Sequence, residues 1–407
     1  MSTARMTNES KEIGAQTEPP KREADNLVKT KVRFKDPSIQ RSAVSIPSSI
    51  RCLVIGDPHI KITEIKASLE MTQAIVDLAR REQPDFIVCL GDTLDRHETI
   101  HSQALTIATQ WLYQLTDVAK VYLLIGNHDR PNNQDFLSDQ HPFVGLKGWS
   151  SERICVVDHV VADTINGLNF FFVPYVPPGR FTEALETLDA WKQEFIWTAG
   201  FTHQEFYGVQ LAPSIFSEKG DHWPKDYPLL INGHIHDRGY PQANIINIGT
   251  PRQHDFDESL DKSVSMFTFN KIGGYEETRL PLPIPYKIML RLTASEFNDW
   301  QIPSSLKDYL KIEVSGTKAE ITALRHLDKI KKVRSFGIKV VTRDSEAGLN
   351  KKNKEIPLPP KEWSQKSFRH RLALRAQHEG DEIKQVYSRL FEKKTEFSHK
   401  VVIKRKK

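Results

Sequence analysis

Between residues 57 and 236 the sequence sets five clusters of oxygen and nitrogen side chains in fixed order: Asp57-Pro58-His59, Gly91-Asp92-Thr93-Leu94-Asp95, Gly126-Asn127-His128-Asp129, His203, and Gly233-His234-Ile235-His236. At least four of the five follow an apolar run that reads as a buried strand. Carboxylate, amide and imidazole groups without thiolate suit divalent cations, and two such ions side by side activate water and clamp a phosphoryl group. The chemistry on offer is metal-assisted hydrolysis of a phosphoester. One such cluster could arise by chance; five, each closing a strand-like run, point to a metal centre.

The residue types divide the work. Asp57 and His59 alternate along an extended segment, so both face one point, as a shared ion requires. Asp92, brought in by Gly91, is the natural bridging carboxylate, and Asp95 is placed to orient a ligand rather than to be one. Asn127 offers a neutral oxygen. His128 is positioned to protonate a leaving oxygen or to stabilise charge on the phosphoryl group, with Asp129 able to hold its ring. A lone histidine ending a strand is usually structural; it is the place of His203 between the third and fifth clusters that selects it. His234 and His236, at i and i+2, can serve one ion each. The ligand set favours Mn²⁺, with Fe²⁺, Zn²⁺ and Mg²⁺ as alternatives, two ions per chain. His97, His101, His141, His159, His222 and His254 lack such a context and read as surface or packing residues.

These groups need elements to hold them. The runs Cys52–Ile55, Phe86–Leu90, Val121–Ile125, Asn169–Val173, Thr198–Thr202, Leu229–Ile231, Ile245–Ile248 and Val264–Phe269 have the length and β-branched or aromatic content of buried strands. Leu69, Thr72, Ile75, Val76 and Ala79 recur at helical spacing, as do the apolar residues from Ala104 to Leu115. Strand and helix in alternation imply an α/β layered core, with ligands gathered at the carboxyl ends of the strands. We read residues 1–48 as a disordered tail, 49–280 as the catalytic domain, and 281–345 as a small αβ module. That module carries strands Tyr286–Leu292, Lys311–Val314 and Phe336–Thr342 and a helix Lys318–Lys332. A linker (346–360), a helical pair (361–395) and a basic tail (396–407) follow. Ile383, Val386, Tyr387, Leu390 and Phe391 form an apolar stripe on the second helix of the pair.

Charge is unevenly spread. Residues 1–280 hold 28 Lys and Arg against 37 Asp and Glu, a net of −9, and residues 281–407 hold 29 against 15, a net of +14. An acidic body with a basic C-terminal third suits a polyanionic partner. Three cysteines (Cys52, Cys89, Cys155) without a CxxC spacing argue for a reducing, intracellular setting, with Cys52 and Cys89 as small core residues. No apolar stretch approaches the roughly 18 residues of a membrane span, so a soluble protein without a membrane partner is expected.

The order of motifs resembles that of the calcineurin-like metallophosphoesterase superfamily, over about residues 51 to 270. That resemblance implies a layered β-sandwich core flanked by helices, followed by the small αβ capping module and C-terminal helices. It also implies a division of ligands: Asp57, His59, Asp92 and His236 on one ion, and Asp92, Asn127, His203 and His234 on the other. The run Asn247-Ile-Gly-Thr250-Pro-Arg252 with Phe256-Asp257-Glu258 resembles the segment after the last metal motif in SbcD-type DNA-repair nucleases and their relatives in large DNA viruses. Val173–Phe181 is similar to a run in those viral proteins, and reads either as a loop near the substrate with Arg180 available for a phosphate or as a tight proline-rich structural turn. The function implied is a DNA nuclease of repair or recombination whose partners are DNA and an SMC-like ATPase of the SbcC type, with a homodimer left open. The alternative is a small-molecule or cyclic-nucleotide phosphodiesterase, or a protein phosphatase, on the same site. A non-catalytic scaffold is disfavoured, because all seven ligands and His128 are present.

Overall fold

The computed structural model describes residues 29–32 and 49–344, apart from 98, 150, 194, 213, 214 and 272. Two sheets form its core. One has seven strands in the order Lys29–Val32, Tyr275–Leu280, Val264–Phe269, Ile50–Ile55, Phe86–Cys89, Lys120–Leu124 and Ile154–Val157. The last four run parallel, and Val264–Phe269 pairs antiparallel with Ile50–Ile55. The other has six strands, Gly239–Gln242, Ile245–Asn247, Leu229–Asn232, Ala199–Thr202, Leu168–Val173 and Val161–Ile165, with a parallel centre.

The period of two along each strand explains the layers. Cys52, Val54, Phe86, Val88 and Tyr122 point from the first sheet into a shared core with Phe170, Phe172, Phe201, Ile231 and Phe267. Leu53, Ile55, Ile87 and Leu123 point the other way, onto the helices Ile65–Glu82 and Ser102–Thr116 through Met71, Ile75, Trp111 and Leu112. The second sheet covers its outer face with Phe181, Phe206 and Trp223. This is the layered sandwich with flanking helices expected above. Leu69 departs from its assigned stripe: it is 48% exposed, because Met71, Thr72, Ile75, Val76 and Ala79 already fill the buried face. No helix of the described residues is long and apolar enough to cross a membrane.

A second, smaller unit follows Pro285. Lys287–Thr293, Tyr309–Gly316 and Lys339–Asp344 form a parallel sheet in that order, with Ala294–Asp299, Lys318–Arg325 and Asp328–Ser335 packed on it around Phe297, Ile312, Val314 and Val333. Capping boxes at Thr293/Glu296 and Thr317/Glu320 start two of these helices. The single helix expected over Lys318–Lys332 is two. The buried positions Ile321 and Leu324 are followed only at Ile330 and Val333, and that gap of six breaks the helical period between Arg325 and Asp328. Phe336, expected to open a strand, is exposed and closes a helix, since Gly337 at φ 79° turns the chain before Lys339.

Within the tail expected to be disordered, Lys29–Val32 is an edge strand paired with Tyr275–Thr278. Its alternation is too short to stand out in so polar a stretch. The remainder of 1–48, the linker, the helical pair and the basic tail lie outside the described residues.

Candidate metal centre

Five parallel-running strands, three from the first sheet and two from the second, deliver their carboxyl ends to one place. Each ligand loop leaves its strand abruptly. His59, Asp92 and His234 have φ of 41°, 48° and 69°, a left-handed conformation that side-chain-bearing residues adopt at a cost. The surrounding chain holds them there: His59 N–H donates to the Asp92 carbonyl at 3.0 Å, and Ile60 N–H to that of Thr93 at 2.9 Å. Gly126 and Gly233 are required by proximity. A Cβ on Gly126 would collide with the Asp92 carboxylate, and one on Gly233 would lie 2.6 Å from Asp57 Oδ1.

Six of the seven expected ligands fall into two neighbouring groups, and Asn127 lies against the second. Asp57, His59 and His236 form one, Asp92, His203 and His234 the other, with the ligand atoms of each group within 4.8 Å of one another. His203 Nδ1–H donates to the Leu90 carbonyl at 2.8 Å, so its Nε2 lone pair is the one presented to the centre. That nitrogen lies 3.1 Å from Asn127 Oδ1 and 3.4 Å from Asp92 Oδ2, and His234 Nδ1 lies 2.9 Å from the same amide oxygen. His236 Nδ1 donates to Glu258 Oε1 at 3.2 Å, which turns its Nε2 towards His59 Nε2, 3.1 Å away. Asp92 Oδ2 stands between the groups, 3.4 Å from His203 and 3.7 Å from His59, while Oδ1 accepts the His128 N–H. That is where a bridging carboxylate belongs.

Electrostatics make the same point. Both oxygens of Asp57 are buried without a hydrogen-bond partner among the described residues, as is His59 Nδ1. Burial, joined by Asp92, pushes Asp57 up to about 6. Burial opposes protonation of His203, yet the Asp92 and Asp57 carboxylates lift it to about 9. Burial and the charge of His203 hold His234 down at about 3. Orphaned buried carboxylate oxygens and lone pairs aimed at one another are costly unless a cation lies between them. The donor set therefore fits two divalent ions. Metal bound only to the folded state stabilises it, by about 2.7 kcal/mol at a hundredfold excess over Kd. Stripping the protein with chelator should accordingly lower its Tm by roughly 5–10 °C, with recovery on adding Mn²⁺. An identical melting curve with and without metal would count against the assignment.

His128 projects beside these groups, its Nδ1–H donated to the Asp95 carbonyl at 2.8 Å and its ring 4.8 Å from that of His59. The expected partnership with Asp129 is absent. Asp129 is buried and accepts the backbone N–H groups of Thr93, Leu94 and Gly126, so it staples the second and third loops together. Burial, with Asp92, raises it to about 7. Asp95 orients His128 through its main chain, and its side chain lies 3.2 Å from Lys61 Nζ and 3.7 Å from His59 Nδ1.

Two histidines assigned to surface or packing are part of the site. His97 stacks on His128, centroids 4.3 Å apart, and donates Nδ1–H to the Asn127 carbonyl. His254 is buried with its ring 4.8 Å from His59 and 5.3 Å from His236, and its Nε2 lies 3.2 Å from the Asp57 carbonyl. Their signal was positional: His97 follows Asp95 by two residues, and His254 lies between Arg252 and Glu258. Of the others, His141 is buried with Nε2 2.9 Å from Asp158, and His159 lies at 2.9 Å from the same carboxylate. Arg180, which one of the two readings left free for a phosphate, is engaged twice by Glu183 and lies 3.6 Å over the Phe136 ring. Tyr175, from the same proline-rich run, does reach the site, its ring 5.8 Å from that of His234.

Comparison with known proteins adds four findings. A family model described as "Calcineurin-like phosphoesterase" matches residues 50–238. The "Putative phosphoesterase 078R" of Invertebrate iridescent virus 3 is 35% identical over 301 residues, 74% of this chain and 86% of that protein. The "Putative phosphoesterase 244L" of Invertebrate iridescent virus 6 is 36% identical over 280 residues, 68% of this chain and 97% of its own. Among solved structures, purple acid phosphatase PPD1 from yellow lupin seeds superposes with a TM-score of 0.37 at 13% identity, over 55% of this chain and 49% of that one.

Proposed function

Because this chain belongs to the calcineurin-like phosphoesterase family, and so is a phosphoester hydrolase, we propose that its substrate is DNA and that it acts as an SbcD-like nuclease in repair or recombination. The observation that supports this reading is a cationic face next to the metal centre. Lys287, Lys311 and Lys339, from the three strands of the small unit, lie 5.8, 5.6 and 5.8 Å from the ring of Phe256. Phe256 sits in the loop that carries His254 and Glu258, so these charges begin one loop away from the ligands. Lys287 is buried and tied to Glu64 and the His254 carbonyl, so the charges on offer are those of Lys311 and Lys339, which have no ion-pair partner among the described residues. Lysines around an aromatic ring suit a phosphate backbone with a base beside it.

Two divalent ions, when bound, supply the activated water and a clamp on the phosphoryl oxygens. Asp57, His59, Asp92 and His236 would hold one, and Asp92, Asn127, His203 and His234 the other; Mn²⁺ is the first to assay. The chain's own residues do the rest. His128 is fixed by the Asp95 carbonyl in the tautomer that leaves Nε2 to the reaction, and once protonated that nitrogen can hand a proton to the leaving oxygen. Asp129 keeps the second and third loops in register, and Glu258 keeps His236 aimed. We further propose an SMC-like ATPase as partner, through the stripe Ile383, Val386, Tyr387, Leu390 and Phe391, which lies outside the described residues.

The test is DNA binding in a salt series. Each neutralised phosphate contributes about 0.9 to the slope of log K against log salt. Replacing Lys311 and Lys339 together by alanine should weaken binding and flatten that slope by about two units. An unchanged affinity would transfer the proposal to a small-molecule or cyclic-nucleotide diester.

A further inference from the structure

Beside His128 the structure holds a cavity of about 310 Å³, lined among others by His97, Ile100, His128, Arg130, Pro131 and His141. Its volume matches the lower end of small-ligand sites, roughly 300 Å³. His128, the residue placed to protonate a leaving oxygen, stands in its wall, whereas Phe256 and its lysines do not. Its walls mix apolar and planar groups with Arg96, Arg130 and the Asp129 carboxylate, whose oxygens are turned to backbone N–H groups.

The decisive wall residue is Arg130. It is 1% exposed, and its Nε and Nη1 have no hydrogen-bond partner among the described residues; Nη2 makes only a long contact, 3.5 Å, with the Asp158 carbonyl. No carboxylate of the described residues lies within ion-pair distance. Asp158 is already taken by His141 and His159, each at 2.9 Å, and by Lys147 at 2.5 Å. Asp129 spends its oxygens on three backbone N–H groups. The carboxylates of Asp135, Asp158 and Asp129 act on this guanidinium only from beyond ion-pair distance, and a buried guanidinium with two unpartnered nitrogens is a large cost to leave in a wall without purpose. An anion in the cavity would feel that charge across protein rather than across water, where it acts more strongly.

We propose that this cavity is the subsite for the nucleotide on the leaving side of the scissile bond, and that Arg130 makes it prefer a nucleotide bearing a further phosphate. The inference rests on the nuclease reading and gives it a second, independent point of recognition. Neither the ligand set nor the lysine face assigns a role to Arg130 or to Ile100, which stands 47% exposed at the cavity.

The test compares kcat/KM, with Mn²⁺, for three substrates: a thymidine dinucleotide, the same dinucleotide with a phosphate on the far hydroxyl of the leaving nucleoside, and bis-p-nitrophenyl phosphate. The wild type should favour the phosphate-bearing dinucleotide by about tenfold, the scale of one charge felt through protein. Arg130→Met should erase that preference, and Arg130→Lys should keep it. Ile100→Trp, which fills the cavity, should lower the ratio of dinucleotide to chromogenic hydrolysis by a further factor of about ten. A merely structural role would slow all three substrates alike and leave both ratios unmoved, which would overturn the subsite. A wild type that cleaves the chromogenic diester and neither dinucleotide would overturn the nuclease reading itself. Cleavage of both dinucleotides without a phosphate preference would overturn the subsite alone.

Discussion

Asp92→Asn should lower phosphodiester hydrolysis by at least about a thousandfold, roughly 4 kcal/mol of transition-state stabilisation, while leaving the fold intact. The geometry explains both halves. Oδ1 accepts the His128 N–H and Oδ2 faces His203 and His59, so the amide can keep its oxygen on His128 and turn its NH₂ to the imidazole lone pairs. The replacement is nearly isosteric and satisfied, but it cannot hold two cations together as a carboxylate does. Steady-state rates with saturating Mn²⁺, beside metal content and Tm, would check it. A wild-type rate would end the two-metal assignment.

His128→Asn should cost between about 10² and 10⁴ in kcat, the range of a lost general acid, with two ions per chain retained. His128 lies close enough to His59 and Asp92 to form a third candidate ligand group, so the experiment separates two roles. Elemental analysis of the variant decides between them. Loss of metal would make His128 a ligand and shift the acid role to its stacked neighbour His97.

The ligand loops were legible because each needs contiguous residues at a strand end, where an apolar run stops at Gly, Asp or His. The strands that carry them were legible for the same reason. What sequence hid was chiefly pairing across distance. Asp129 stands beside His128 in the chain, yet its oxygens serve the loop at Thr93 and Leu94. His254 enters the centre from a loop after the last motif, and only its place between Arg252 and Glu258 marked it. The strand Tyr275–Leu280 reads as polar because Glu277 is buried in it, a position stabilised by Arg238 at 2.5 Å and Ser265 at 2.6 Å. Val161–Ile165 is a half-exposed edge with weak alternation. The helix stop between Arg325 and Asp328 was visible as a gap in the apolar period, but only to a reading that weighed the gap above the charged helix formers around it.

Gln253 joins the small unit to the metal centre through its side chain. It accepts the Lys287 N–H at 2.8 Å and donates to the carbonyls of Lys287 at 3.1 Å and Glu258 at 3.0 Å. Lys287 Nζ in turn reaches Glu64 and the His254 carbonyl, and Glu258 aims His236. The joint therefore behaves as a stiff lever and not as a loose hinge. A pull on the first strand of the small unit arrives at a metal ligand through hydrogen bonds, with no slack chain on the way to absorb it.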